Sequence, residues 1–100
     1  KEVCEATIRE VYAEMNRLCN ELIAEDELNL VRNYMMGGLL GDLDGPFQLI
    51  ARWKNLILNG LPPAHFHRTI DTIRSVDAQQ LQALAQRYFD PADFYELVVV

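Results

Sequence analysis

One hundred residues, half of them hydrophobic, suffice for one domain with a modest core and are too few for two. Fifteen acidic residues against nine basic ones give a net charge of -6, with the basic residues dispersed. This balance argues against a nucleic-acid partner, because phosphate binding relies on clustered Lys and Arg that displace counterions. No stretch approaches the roughly 20 uninterrupted apolar residues that cross a bilayer, so no membrane segment is expected.

In chain order, Cys4, Ile8, Val11, Met15, Leu18 and Leu22 fall within about 80° of one another on a helical wheel, opposite Glu10, Glu14, Arg17 and Glu21. This spacing predicts an amphipathic helix over roughly residues 2 to 23. Cys4 and Cys19 on that helix lie roughly 22 Å apart and cannot bridge; two free, buried thiols are expected. A second helix is predicted to start at Glu25 and Asp26, acids suited to the positive end of a helix dipole, and to turn Leu28, Val31, Met35 and Leu39 inward until glycines end it. Pro46 fits the first position of a third helix, which runs to Asn59 and stops at Gly60. Its apolar residues, among them Phe47, Ile50, Trp53 and Ile57, span more than half the circumference, leaving Gln48, Arg52 and Asn55 as a polar strip. Such a helix calls for cover on more than one side.

After "LPP", Phe66, Ile70 and Ile73 share one face of a fourth helix. Asp77 and Gln80 form a variant capping pair ahead of a fifth, striped by Leu81, Leu84, Ala85 and Tyr88 and closed by "DP" at 90 and 91. The last seven residues, "FYELVVV", are aromatic and β-branched without helical spacing, which predicts a C-terminal strand. A lone strand needs a partner for its N–H and C=O groups, so pairing with a missing part of a longer chain, or self-association with a second copy, is expected. The sequence begins at Lys1 without a signal-like segment and ends on "ELVVV", the pattern of a piece excised from a longer protein.

Four of five glycines cluster at 37, 38, 41 and 45. A P-loop needs Lys and Ser or Thr after the last glycine, but Pro46 and Phe47 follow Gly45. An EF-hand register on Asp42, Asp44 and Gly45 would put Leu40 and Ala51 at the first and twelfth positions, where carboxylates are required. Asp42 and Asp44 read instead as turn formers. The remaining use is close helix packing at Gly37, Gly38 and Gly41: Tyr34, Gly38 and Gly41 lie within about 60° of each other and leave a groove another backbone could enter. A bulky residue at Gly38 is then expected to clash.

His65 and His67 suggest metal, but on a helix they point about 200° apart and have no Cys or carboxylate at ligand spacing. H-E-x-x-H, its inverted form and G-x-S-x-G are all absent. No catalytic, cofactor or metal site is therefore expected in these residues.

Taken in order, "EDELNLVRNYMMGGLLGDLDGPFQLIARWKNLILNGLP" and "IRSVDAQQLQALAQRYFDPADFYELVVV" resemble the latter part of a domain of the pitrilysin/insulinase family of zinc metallopeptidases. The likeness covers roughly residues 20 to 100, through an acidic "EL" helix start, the glycine-ended "NGLP", an "I..V....LQ.LA..Y" segment and a closing valine-rich strand. It implies that residues 1–100 are a single partial domain, five helices and a strand from an α+β (α/β sandwich) peptidase domain of the copy that lacks zinc. It also implies that any zinc sits elsewhere in the parent, and that the partners are the rest of the parent and a peptide substrate. The family's assisting arginine and tyrosine lie on strands before the first helix and have no counterpart here. A free-standing helical interaction module is the competing expectation.

Because the two histidines diverge and the cysteines are far apart, the chain should retain no stoichiometric zinc after dialysis, as measured by elemental analysis. Zinc that is retained and then lost on His65→Ala or His67→Ala would contradict this reading.

Overall fold

A computed structural model describes residues 2–99. Among them are five α-helices, α1 (Glu2–Asn20), α2 (Glu25–Gly41), α3 (Pro46–Leu58), α4 (Ala64–Ser75) and α5 (Ala78–Tyr88), and one 3₁₀ turn, Pro91–Asp93. The chain forms two compact units: α1 with α5 and the segment after it, and Glu25–Val76 with α2, α3 and α4.

In the first unit α1 packs on α5. Met15 and Ala85 are its buried apolar residues, and the small Ala85, 5% exposed, lets the two backbones come close. The end of α1 is served by α5: Gln82 and Gln86, four residues apart on one face, both donate through Nε2 to the Cys19 carbonyl, at 3.3 and 2.9 Å. α1 stops at Asn20, short of the expected residue 23, where the Asn20 amide bonds back to the Asn16 carbonyl at 2.8 Å. Leu22, which matches the helical period, lies beyond the helix and is half exposed. α5 opens on the capping box predicted from its sequence: the Asp77 carboxylate accepts from the Gln80 N–H at 2.8 Å and Gln80 Oε1 from the Asp77 N–H at 3.0 Å.

The strand expected over 94–100 is not formed among the described residues, and Val100 lies outside them. Phe94 has extended backbone angles and meets Phe89 edge-on at 6.2 Å, but no neighbouring strand supplies a ladder. Strand-forming residues alone do not make a strand, which also needs a partner. Further along the segment lies Glu96, whose hydrogen-bonding influence on Tyr12, together with partial loss of water around the phenol and the negative charge of the carboxylate, raises the Tyr12 phenol above its ordinary range.

In the second unit α2 packs on α4, burying Leu28 and Ile73. Arg32 ties the pair together. Its Nε donates to the Ile73 carbonyl at 2.9 Å, one terminal nitrogen donates to the Val76 carbonyl at 2.6 Å, and the other holds Asn29. The Ile73 carbonyl lies in the last turn of α4 and Val76 is its C-cap; neither has an intrahelical donor, and a cation there also meets the negative end of the helix dipole. α2 does not dissolve at its glycines: it continues to Gly41, the Asp42 N–H still reaches the Gly38 carbonyl at 3.0 Å, and tighter bonds from Leu43 and Asp44 then turn the chain into α3. α3 ends at Gly60, φ +65°, in a Schellman arrangement in which Leu61 donates to Leu56 and Gly60 to Ile57.

Replacing Arg32 by Met keeps the apolar stem and removes the donors. It should lower stability by about 1–3 kcal/mol in urea unfolding, because partly buried carbonyls lose their partners. An unchanged midpoint would mean that water serves the end of α4 equally well.

Candidate functional site

α3 presents two unlike faces. On one, Phe47, Ile50, Trp53 and Ile57 are exposed, Phe47 by 82% and Trp53 by 54%. On the other, Gln48, Arg52 and Asn55, continued by the C-cap residue Asn59, fall within about 60° of each other at 100° per residue. Pro46 starts the helix without needing an N–H, and the cap residue Gly45 adopts φ +121°, ψ 161°, a conformation essentially confined to glycine.

Arg52 is the best-anchored side chain of the polar face. It donates to Asp42 Oδ2 at 2.6 Å, and its guanidinium lies 4.7 Å above the centre of the Phe66 ring. Its Nε is buried and has no hydrogen-bond partner among the described residues. Asp42, read from sequence as a turn former, thus also neutralises Arg52. Two cavities flank this arginine. One, about 390 Å³, is lined chiefly by the polar strip together with Asp42, Leu61 and His65. The other, about 260 Å³, is lined by Leu43, Leu49, Trp53, Leu56, Pro63, Phe66 and His67 as well as Arg52.

His65 and His67 therefore line different cavities, as their angular separation requires. His67 meets the Phe66 ring edge-on at 5.8 Å. Cys4 and Cys19 are free and half-buried, and Cys19 Sγ approaches the Phe89 carbonyl at 3.9 Å. No group of three or more His, Cys, Asp or Glu side chains converges among the described residues in a way that would hold a metal ion.

Gly37, Gly38 and Gly41 all lie within α2, and a Cβ placed on any of them meets no atom within 4 Å. Among the described residues of this unit, no other helix makes the close approach expected at these positions. Two groupings escaped the sequence reading: the Arg32 tie, whose only signal is an arginine on an otherwise apolar flank, and the Asp42–Arg52–Phe66 stack, in which each member had a separate local explanation. Comparison with family models, with characterised proteins and with solved structures gives no match.

Gly38→Ala should raise stability by about 1 kcal/mol, since the side chain enters open space and the helix gains from the lower backbone entropy of the unfolded chain. Gly45→Ala should lower it by about 1–3 kcal/mol, because its backbone angles exclude a Cβ, which would also sit 2.8 Å from Gln48 Oε1. Thermal unfolding of both variants checks the pair: a loss at Gly38 would place a close neighbour on that face, and no loss at Gly45 would mean that the turn relaxes freely.

Proposed function

We propose that this chain is a non-catalytic, structural part of a pitrilysin/insulinase-like zinc metallopeptidase, helping to wall the chamber that encloses the peptide. The family resemblance over residues 20 to 100 supplies the class, and the observation that carries the role is uncovered apolar surface. The chain exposes 8302 Å². A globular protein of its 11.5 kDa exposes about 5,800 Å², and two separate globules of half the mass about 7,000 Å² together. The excess over even the second figure is comparable to a sizeable protein interface.

Apolar side chains are exposed where a covering layer would be wanted. The apolar face of α3 is open, and along the C-terminal tail Tyr95 is fully exposed and Leu97 and Val99 nearly so. In the parent, the tail would enter a sheet as its C-terminal strand, giving the α/β sandwich, and the side-chain-free lane at Gly37, Gly38 and Gly41 would receive another backbone. A free-standing helical interaction module is the alternative, favoured by the same open face of α3 in a unit with its own buried Leu28 and Ile73 and Arg32 tie.

The full-length gene product decides between them. On the first reading it carries H-x-x-E-H or a tandem copy of this helical order, and it cleaves a fluorogenic peptide in a zinc-dependent reaction that Trp53→Asp in α3 impairs by loosening the domain. A product with neither motif nor tandem copy, in which this helical region captures a protein partner, overturns the peptidase reading.

A further inference from the structure

We infer that the groove along the polar strip of α3 is a binding site for a short extended peptide segment, recognised through its main-chain amides. The groove has a volume of about 390 Å³, at the lower end of the usual range for ligand sites. Its polar lining comprises Asp42, Gln48, Arg52, Asn55, Asn59 and His65. The two opposite charges are paired with each other at 2.6 Å, so the lining presents no free charge from that pair to attract an ion.

What remains for a ligand are carboxamides, each with a carbonyl that accepts and an NH₂ that donates. Among the described residues the side chains of Gln48 and Asn55 make no hydrogen bond, and Asn59 spends one N–H on the Asn55 carbonyl at 2.8 Å while its own oxygen stays free. A carboxamide pairs with a peptide unit donor to acceptor and acceptor to donor, which a hydroxyl group does not match with the same geometry.

Spacing supports this chemistry. Positions four apart on a helix rise by about 6 Å, close to the roughly 6.7 Å two-residue repeat of an extended chain. Asn55 in the last turn of α3 and Asn59 at its C-cap can therefore meet alternate peptide units, with Gln48 reaching a unit further along. Ala51, Leu56 and Leu61 give intervening small side chains an apolar wall. The inference does not depend on a peptidase parent, because it concerns the outer polar strip of α3 and any extended segment of uncharged sequence.

The test is titration of the full, isotope-labelled chain with N-acetyl-trialanine amide, followed through the side-chain amide resonances of Gln48, Asn55 and Asn59. Saturable shifts at these three groups are expected. Binding should weaken about tenfold in Asn55→Leu, which removes one donor and one acceptor, and in Asn59→Leu if the first variant loses helical circular dichroism. The same peptide with N-methylated internal amides should bind more weakly to the unaltered chain, a control that needs no variant. No saturable shift overturns the inference, and so does equal binding of the N-methylated peptide or of maltotriose. None of these results bears on whether the parent gene encodes a zinc motif.

Discussion

An amphipathic helix is stable in water only if its apolar stripe is covered, and in this chain that requirement is met chiefly by two pairings, α1 with α5 and α2 with α4. The rest of the structure depends on them. In each pair a polar side chain of one helix completes the last turn of the other: Gln82 and Gln86 at the end of α1, Arg32 at the end of α4. The buried apolar contribution is small, with Met15 and Ala85 in one pair and Leu28 and Ile73 in the other, and no side chain is fully buried among the described residues. Hydrogen bonds to helix ends, each worth about 1 kcal/mol net and more where a charge is involved, are then a sizeable share of what orients the helices.

α3 stands outside this arrangement. Its polar strip carries an anchored arginine between two cavities, and its opposite face offers Phe47, Ile50, Trp53 and Ile57 to water. Such a face on an otherwise acidic chain is an open hydrophobic patch. The polar groove and the apolar face point in opposite directions, so one can take a peptide segment while the other is covered.

The helices were legible because the sequence speaks at several levels at once: period 3.6 in the apolar residues, Asp77 with Gln80 at the start of α5, Pro46 and Gly60 bracketing α3. Errors arose where only one signal was used. Leu22 fits the helical period, yet α1 ends at Asn20, whose side chain competes for the last carbonyls. The glycines were expected to end α2 after Leu39, and it ends at Gly41; Gly37 and Gly38 are carried inside it, since an isolated glycine weakens a helix by about 1 kcal/mol without stopping it. The 94–100 run has strand-forming residues, but pairing is not a property of the segment alone. Arg32 and Arg52 could not have been placed, since both act on groups far away in sequence: Arg32 on carbonyls more than 40 residues on, and Arg52 on the ring of Phe66.

The central claim is that α3 is left without the cover its composition calls for. Native-state hydrogen exchange of the full chain, resolved by residue, measures this most directly, because local opening reports how firmly each helix is held. The account predicts that amides in the middle of α3, from Ile50 to Ile57, open at a cost within about 1 kcal/mol of zero, whereas those around Ile73 in α4 are markedly better protected. Protection in α3 equal to that around Ile73 would contradict it, and would mean that the helix is held by contacts other than the missing layer proposed for it.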